Sequence, residues 1–432
     1  MPSAPRSVAP AALPLLCLAL LSVAPLGAGA QELIPSDSSA WTAFSARPDS
    51  TPVVQITAGS PYALEVFGNS VPSVYGGWKA RITLSGNQFY RFRTRATVTG
   101  IPSPGESVTI LVRWRGAFGD QVAPDYIRQS TAESSGQLLF DRTVQAPAGT
   151  SAADLELVLQ WAPNGRVTFD GLSLTPASAP AARPVKLAAM SYRPQGAGSG
   201  LESVQRAARY AEAVAAAQRP DVMVFGELLN VIGAPGSYDA KAETIPGPST
   251  NVMSALARTY RTYVAFGMLE REGRLLYNAA VLIDRTGAVA AKYRKVQLPL
   301  AEVSAGITPG DAVPVFETDF GRVALLICQD TAFPEPARDA AIRGAELLLV
   351  PIWGGKPSLM TARAIEQSMY VAASGYDYLS EIVDPLGTVL ARVPVLNTPD
   401  VAVATIDLAR RFREPWSGDW RDVSNKQRRT IR

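Results

Sequence analysis

The sequence of 432 residues predicts two domains of different class, an all-β sandwich followed by an α/β domain. In the first part, apolar residues recur at every second position of short segments, as in strands with one buried face. In the second part, apolar strands alternate with helical patterns, which is typical of α/β folds. A stretch rich in proline and alanine, residues 175–184, separates the two patterns and predicts a linker.

The N-terminal residues predict a secretory signal peptide. An arginine precedes an apolar run at residues 11–23, which is too short to span a bilayer as a helix, and a small-residue cleavage site ends at Ala30. The large Leu16 before Cys17 argues against a lipoprotein start. We therefore expect an exported protein, periplasmic or secreted, without a membrane span. The predicted limits are a signal peptide at 1–30, the sandwich at 31–176, the linker at 177–184 and the α/β domain at 185–432.

Composition excludes several kinds of chemistry. The chain contains no histidine, so Ser-His-Asp triads and Cys-His pairs are excluded, and zinc or non-haem iron sites lose their commonest ligand. We expect no metal and no cofactor.

The net charge is +3 with scattered basic residues, which predicts no nucleic-acid partner. Apart from Cys17 the only cysteine is Cys328, and a free thiol in an exported protein calls for an explanation.

Four segments of the first domain carry the alternating pattern: residues 90–98, 107–114, 153–161 and 167–174. This layout, over residues 36–175, resembles the galactose-binding-like jelly rolls that occur as carbohydrate-binding modules, which implies a glycan or cell-surface ligand. Five aromatic residues can stack on sugar rings, with core packing as the alternative: Trp41, Tyr75, Trp78, Tyr126 and Trp161. Two glycines before Trp78 predict a loop, so Tyr75 and Trp78 are the preferred candidates for a sugar platform.

In the second domain, the apolar segments 185–192 and 221–227 predict buried strands, and further strands continue to residue 408. Helices are predicted at residues 201–218, 251–260, 336–343 and 360–373. Strands paired with helices over this length predict one α/β domain.

Three residues with complementary chemistry end apolar strands of this domain: Glu227, Lys295 and Cys328. The carboxyl ends of strands are where α/β folds place their sites. Alone, Cys328 is more readily explained as a buried core thiol. Together, the three side chains offer a base, a cation and a nucleophile, which suffice for acyl transfer through a thioester. A backbone N–H near Gln329 can help to stabilise the oxyanion.

The motifs around these residues resemble those of a known family. VFGELLN contains Glu227, YRKVQLP contains Lys295 and CQDTAFPEPAR contains Cys328. They occur in the order of the nitrilase, or carbon–nitrogen hydrolase, superfamily, and the resemblance covers residues 185–408. It implies an α-β-β-α sandwich with Glu227 as general base, Lys295 as oxyanion stabiliser and Cys328 as nucleophile. Glu302 matches a second glutamate that the family places near the lysine.

Several further positions either match the family pattern or depart from it. Trp353 falls where the family lines its substrate pocket, and Gln329 is a second pocket candidate. Asp330 is expected to brace the turn around the cysteine. Gly226 stands where the family usually has proline, and residues 373–385 differ from the usual segment. Substrate specificity therefore does not transfer from the family.

The predicted reaction is hydrolysis of a non-peptide carbon–nitrogen bond in a small molecule, an amide rather than a nitrile. Two alternatives stay open. One is the N-acyltransferase branch of the same superfamily, although its members embed the domain in a membrane bundle that this sequence does not predict. The other is a non-catalytic glycan- or surface-binding protein. Family members often dimerise through the α-β-β-α sandwich, so the resemblance also raises the expectation of a homodimer.

Overall fold

A computed structural model describes residues 31–59, 61–128, 131–134 and 136–426 of the chain. The predicted signal peptide, with Cys17, lies outside these residues. One pair of sheets is built from strands up to Ala177, and a second pair from strands beginning at Pro184. Residues 178–183, between the two pairs, form neither helix nor strand.

The first domain contains two antiparallel sheets, with strand orders β1-β4-β10-β6-β7 and β2-β3-β11-β5-β9-β8. Its elements are β1 Trp41–Ser45, β2 Val53–Thr57, β3 Ala63–Phe67, β4 Tyr75–Thr83, β5 Phe89–Thr99, α1 Pro104–Ser107, β6 Val108–Arg115, β7 Gln121–Ile127, β8 Thr131–Ser134, β9 Gln137–Gln145, β10 Ala152–Gln160 and β11 Arg166–Ala177.

One hydrophobic core is shared by these two sheets. Phe92 and Phe169 of the six-stranded sheet and Trp114 of the five-stranded sheet are fully buried. The Trp114 indole N–H donates to Asp125 Oδ2 at 2.7 Å, so its burial leaves no unsatisfied donor. The all-β class predicted for this part is confirmed, whereas the galactose-binding-like jelly-roll assignment stays a prediction.

The second domain contains two six-stranded mixed sheets, with strand orders β16-β15-β14-β13-β12-β23 and β17-β18-β19-β20-β21-β22. Its elements are β12 Pro184–Ser191, α2 Gly200–Gln218, β13 Val222–Val224, α3 Tyr238–Lys241, α4 Pro248–Tyr260, β14 Tyr263–Glu272, β15 Leu275–Ile283, β16 Val289–Arg294, α5 Leu300–Ser304, β17 Val315–Glu317, β18 Arg322–Leu325, α6 Pro334–Ile342, β19 Leu347–Pro351, α7 Pro357–Gln367, β20 Tyr370–Ser374, β21 Glu381–Val383, β22 Val389–Arg392, β23 Asp400–Asp407, β24 Arg413–Glu414, β25 Gly418–Asp419 and α8 Trp420–Lys426.

These two sheets pack face to face and carry helices on their outer sides. Leu187 of β12 and Leu348 of β19 belong to one buried cluster between the sheets. The next residue along β12, Ala188, packs instead with the buried faces of α2 and α4. Helices α6 and α7 cover the second sheet through Ala337 and Met360. The layers are therefore α-β-β-α, as the resemblance implies.

The structure corrects one predicted helix. Helix α7 ends at Gln367, and Ser368 after it takes the left-handed conformation with φ 51°. Residues Tyr370–Ser374 then form β20, so the helix predicted at 360–373 was wrong in its second half. Every residue of β20 is buried, and a fully buried strand lacks the alternation that distinguishes it from a buried helix.

The last described segment returns to the first domain. Elements β25 and α8 contact β7 of the five-stranded sheet. Arg413 Nη2 lies 2.6 Å from Asp125 Oδ2, and Arg142 Nη2 lies 2.7 Å from Asp422 Oδ2. These ion pairs join the two domains.

In the part of the chain described, no helix combines the length and apolarity needed to cross a membrane, and no group of three potential metal ligands occurs.

Candidate active site

Three of the predicted residues lie just beyond buried strands and meet. Glu227 follows β13, Lys295 follows β16, and Cys328 opens a 3₁₀ helix, Cys328–Ala332, shortly after β18. Lys295 Nζ lies 2.8 Å from Glu227 Oε1. The charges of both groups act on the Cys328 thiol. The structure brings the three side chains together, while their catalytic roles stay a prediction.

The Lys295 ammonium is held between two carboxylates and is only 1% exposed. Its Nζ donates to Glu227 Oε1 at 2.8 Å and to Glu302 Oε1 at 2.7 Å. Burial opposes the charged form of Lys295, but the two carboxylates outweigh burial and hold its pKa above the ordinary value. Burial also raises the pKa of Glu302; Lys295 opposes this shift, and Glu227 adds to it. The two glutamates therefore share one buried cation.

Asn278 and the backbone of Trp353 complete the hydrogen bonds of Glu227. Asn278 Nδ2 donates to Glu227 Oε1 at 2.7 Å and to Glu302 Oε1 at 3.0 Å. The Trp353 backbone N–H donates to Glu227 Oε2 at 2.9 Å, so both oxygens of this carboxylate are fixed. Among the described residues, Glu302 Oε2 and Asn278 Oδ1 have no hydrogen-bond partner. The sequence prediction did not identify Asn278.

Cys328 is held in an unusual backbone conformation, with φ 42° in the left-handed region. Its Sγ donates to the Gly354 carbonyl oxygen at 3.3 Å. Burial raises the pKa of the Cys328 thiol to about 12; Glu227 raises it further, and Lys295 lowers it. The resting thiol is therefore neutral near pH 7, and an attack by sulfur requires a base that removes its proton.

Asp330 ties the cysteine turn to the loop that follows the lysine. Its Oδ1 accepts from the backbone N–H groups of Gln297 at 2.8 Å and Val296 at 3.2 Å. Its Oδ2 accepts from the Ile327 backbone N–H at 2.9 Å and from the Tyr293 hydroxyl at 2.7 Å. A bracing position for Asp330 was expected from the sequence, and these four hydrogen bonds provide it.

Comparison with known proteins identifies the family. Residues 186–412, more than half of the chain, match the family model described as Carbon-nitrogen hydrolase. The chain belongs to the carbon–nitrogen hydrolase family. Its relatives include proteins named as omega-amidases and a nitrilase, and the chain is accordingly a carbon–nitrogen hydrolase.

Individual relatives of this hydrolase match part of its length. A hydrolase from Schizosaccharomyces pombe is 31% identical over 224 residues, which are 45% of this chain and 68% of the relative. An omega-amidase from Homo sapiens is 32% identical over 207 residues, which are 41% and 74% of the two chains. The crystal structure of an amidase from Nesterenkonia sp. superposes with a TM-score of 0.47 and 24% identity, covering 56% of this chain and 93% of that chain.

A residue of the hydrolase that the sequence prediction missed, Tyr376, packs beside Glu227. The Tyr376 ring meets the Trp353 ring edge-on, with centroids 5.6 Å apart. A Cβ placed on Gly226 would lie 2.6 Å from Cζ of Tyr376, so the tyrosine occupies the space beside this glycine. Gly226 and the segment 373–385 are both departures from the family pattern, and they touch. These two departures from the family pattern were the sequence feature that could have pointed to Tyr376.

We expect Gly226→Ala to lower the free energy of unfolding by about 1–3 kcal/mol, because the added methyl overlaps the Tyr376 ring. Replacing Tyr376 with leucine in the same chain should relieve the overlap. The loss in Gly226→Ala/Tyr376→Leu should therefore be smaller than the sum of the single losses by about 1 kcal/mol. Urea unfolding measures all three. Gly355→Ala is the control, because its Cβ would meet only atoms 3.8 Å away. Additive losses would contradict the contact.

The predicted pocket residues of the hydrolase lie near this centre. Trp353 is half-buried, and the Arg193 guanidinium lies 5.8 Å from its ring centroid. Gln329 is half-buried in the 3₁₀ helix directly after Cys328. Contact of Trp353 and Gln329 with substrate stays a prediction.

The sugar platform predicted on the first domain needs a correction at Trp78. This residue lies inside β4, not in a loop, and is 6% exposed. Its ring packs in the core, and its indole N–H donates to the Glu65 carbonyl oxygen at 3.0 Å. The Trp78 ring is therefore not available to stack on a sugar. Tyr75, at the start of the same strand, is half-buried.

Proposed function

We propose that this hydrolase cleaves an amide of a small molecule through a thioester on Cys328, and that it acts after export. The observation that carries the proposal is the buried hydrogen-bonded set of Glu227, Lys295 and Glu302 beside the neutral Cys328 thiol. A buried ammonium paired with two carboxylates is costly to maintain for stability alone. Together with the thiol, these groups suit acyl transfer, for which a base, an oxyanion-stabilising cation and a nucleophile are required.

In the acylation step, Cys328 Sγ attacks the amide carbonyl carbon while Glu227 takes the thiol proton. Lys295 Nζ and a backbone N–H near Gln329 stabilise the resulting oxyanion. The C–N bond then breaks, and Glu227 gives its proton to the leaving nitrogen, which departs as ammonia or an amine. The acyl group remains on sulfur as a thioester.

In the deacylation step, Glu227 takes a proton from water as the water oxygen attacks the thioester carbonyl. The C–S bond breaks, the carboxylic acid leaves, and the proton returns to Cys328 Sγ. One amide and one water are consumed, and one carboxylic acid and one ammonia or amine are formed. Hydrogen bonds to both oxygens of Glu227 support its role as the base in both steps, because they fix the orientation of the carboxylate.

The raised thiol pKa of about 12 has a consequence that can be measured in Glu227→Gln. In the wild type, alkylation of Cys328 by iodoacetamide should keep rising between about pH 7 and pH 10, because the thiolate fraction rises throughout. At about pH 10, where hydroxide can replace Glu227 as the base, removing the Glu227 charge lowers the thiol pKa and should speed alkylation, although amide turnover is lost. Mass measurement of the Cys328 peptide follows the reaction.

The control for this experiment is Glu335→Gln, which changes an exposed carboxylate in the same sequence motif. Its alkylation rate and turnover should match the wild type. An alkylation plateau below about pH 9 in the wild type, or slower alkylation of Glu227→Gln at about pH 10, would contradict the assigned electrostatics.

Substrate class is tested with a panel of small amides, nitriles and esters, each assayed for ammonia or alcohol release. The proposal predicts ammonia from at least one amide and faster turnover of amides than of nitriles. Added primary amines distinguish hydrolysis from transfer: a new amide product would favour the N-acyltransferase alternative. No turnover of any compound, with no adduct on Cys328, would favour the non-catalytic alternative.

Export is supported by the N-terminal sequence pattern, in which an arginine, an apolar run and a small-residue cleavage site follow one another. Cell fractionation with N-terminal sequencing tests it. A chain that begins at Gln31 outside the cytoplasm is expected, and an unprocessed chain in the cytosol would overturn the proposal.

A further inference from the structure

A small apolar cluster lies beside the proposed active site and is distinct from the larger hydrophobic clusters of the two domains. Larger side chains that are only half-buried pack against it: Tyr238, Leu298 and Trp353. We call the surface formed by these three residues the apolar wall. The buried members of the cluster behind it are Leu228, Val231, Leu269, Leu276 and Ile307.

Two members of the apolar wall belong to the segments that carry the reacting groups. The Trp353 backbone N–H donates to Glu227 Oε2 at 2.9 Å, and Cys328 Sγ donates to the carbonyl oxygen of the next residue at 3.3 Å. Leu298 is three residues after Lys295. An acyl group held on Cys328 Sγ therefore begins beside the apolar wall.

The third member, Tyr238, comes from a different segment and also lies close to the site. Burial raises the pKa of its phenol, the charges of Glu302 and Glu227 raise it further, and Lys295 lowers it. The phenol is therefore uncharged near pH 7, and it is near enough for all three charges of the site to act on it.

Hydrogen bonds fix the short helix α3 that carries Tyr238. Asn230 Nδ2 donates to the Lys241 carbonyl oxygen at 3.0 Å. Arg271 Nη2 donates to the Asp239 carbonyl oxygen at 2.6 Å and to Asp239 Oδ1 at 2.7 Å. A ligand therefore meets a preformed apolar surface, as is usual for small-molecule sites.

The charged groups around the apolar wall already have partners or face solvent. Arg193, whose guanidinium lies 5.8 Å from the Trp353 ring centroid, pairs with Asp377 Oδ1 at 2.8 Å. Lys241 Nζ donates to a backbone carbonyl oxygen at 3.3 Å, and burial lowers its pKa. Lys356 is exposed, and the ammonium of the site is shared by two carboxylates. None of these cations offers a buried ion pair to an anionic group at the wall, and burying such a group unpaired is unfavourable.

We propose that the acyl group of the amide substrate is uncharged and apolar, and that it packs against the apolar wall. The inference rests on the hydrolysis proposed above and specifies its substrate class, the amides of aliphatic or aromatic monocarboxylic acids. The carbonyl carbon lies at Cys328 Sγ, and the hydrocarbon beyond it covers the rings of Trp353 and Tyr238. Tyr238 and Leu298 are specificity residues of this reaction.

Ammonia release from a matched series of amides tests the substrate class. Acetamide, propionamide, butyramide and pentanamide increase in length by a single methylene, and kcat/KM should rise by about fourfold at each step as each methylene is buried. 4-Methylpentanamide and succinamate have the same shape, with methyl groups in place of the carboxylate oxygens. The first should have the higher kcat/KM by about tenfold or more, because succinamate would bury its charge.

Substitutions in the apolar wall test where the acyl group binds. Tyr238→Ala and Leu298→Ala should each lower kcat/KM for pentanamide by about tenfold and change that for acetamide by less than about twofold, because acetamide is too short to reach either side chain. Tyr238→Phe keeps the ring and should keep the wild-type preference. Leu386→Ala is the matched control, because Leu386 is exposed in the turn between β21 and β22 and lies outside the cluster. Acetamide turnover also shows that each variant is folded.

The results separate this inference from the proposed function. Equal kcat/KM for acetamide and pentanamide, a preference for succinamate, or an equal loss with every amide in Tyr238→Ala would overturn the apolar acyl group, while hydrolysis through Cys328 would stand. Lack of turnover with every amide of the series would instead overturn the proposed function, and this inference with it.

Discussion

Replacing Cys328 with alanine is expected to reduce amide hydrolysis by about a thousandfold or more, because the reaction loses its nucleophile. The free energy of unfolding should change by less than about 1 kcal/mol, since the thiol makes one weak hydrogen bond to the Gly354 carbonyl. Ammonia release from the best amide of the panel measures the first effect. Urea unfolding measures the second.

The combination of lost turnover and retained stability separates a catalytic thiol from a structural one. A core thiol would show the reverse pattern, with reduced stability and intact turnover in the protein that folds. Glu335→Gln again serves as the control in the same motif, and it should behave as the wild type in both assays. Turnover of Cys328→Ala within about tenfold of the wild type would contradict a thioester mechanism.

Replacing Lys295 with methionine is expected to abolish turnover and to lower the free energy of unfolding by about 3–5 kcal/mol. The change removes the cation that Glu227 and Glu302 both accept from, and leaves two carboxylates in a buried site. Burial and the Glu227 charge already raise the pKa of Glu302, and the substitution removes the Lys295 charge that opposes them. Because the folded protein binds protons more readily than the unfolded chain, the variant should gain stability as the pH falls.

A second substitution isolates the cause of this loss. Adding Glu302→Gln to Lys295→Met removes one of the two negative charges that repel each other. About 1 kcal/mol or more of the free energy of unfolding should therefore return. Turnover should not return, because the oxyanion still lacks its cation. Lys356→Met is the control for loss of a lysine, since Lys356 is exposed and its replacement should change stability by less than about 0.5 kcal/mol. Equal losses in the single and double variants would contradict the shared-cation arrangement.

The sequence predicted the centre of the site because each of its residues follows a strand. Glu227, Lys295 and Cys328 stand where the chain leaves β13, β16 and β18, and such ends converge in α/β sheets. The four layers of the second domain were expected from the family resemblance. The pattern of strands itself predicted the α/β class of that domain and the all-β class of the first. These features depend on local hydrophobic periodicity, which a single sequence contains.

The features that the sequence did not predict depend mainly on contacts between segments that are distant along the chain. Asn278 bridges Glu227 and Glu302 from inside β15, and the one sequence signal was a polar residue in a buried strand. Tyr376 reaches Gly226 across about 150 positions, which no local pattern encodes. Trp78 was placed in a loop because two glycines precede it, whereas Tyr75–Thr83 form the strand β4.

The most direct test of the central claim is rapid-quench mass spectrometry of the hydrolase mixed with a turned-over amide. The account predicts a transient adduct equal in mass to the acyl group, located on the Cys328 peptide and absent from Cys328→Ala. The adduct should form and decay at rates that account for steady-state turnover. Product release without any adduct on Cys328, or an adduct that maps to another residue, would contradict it.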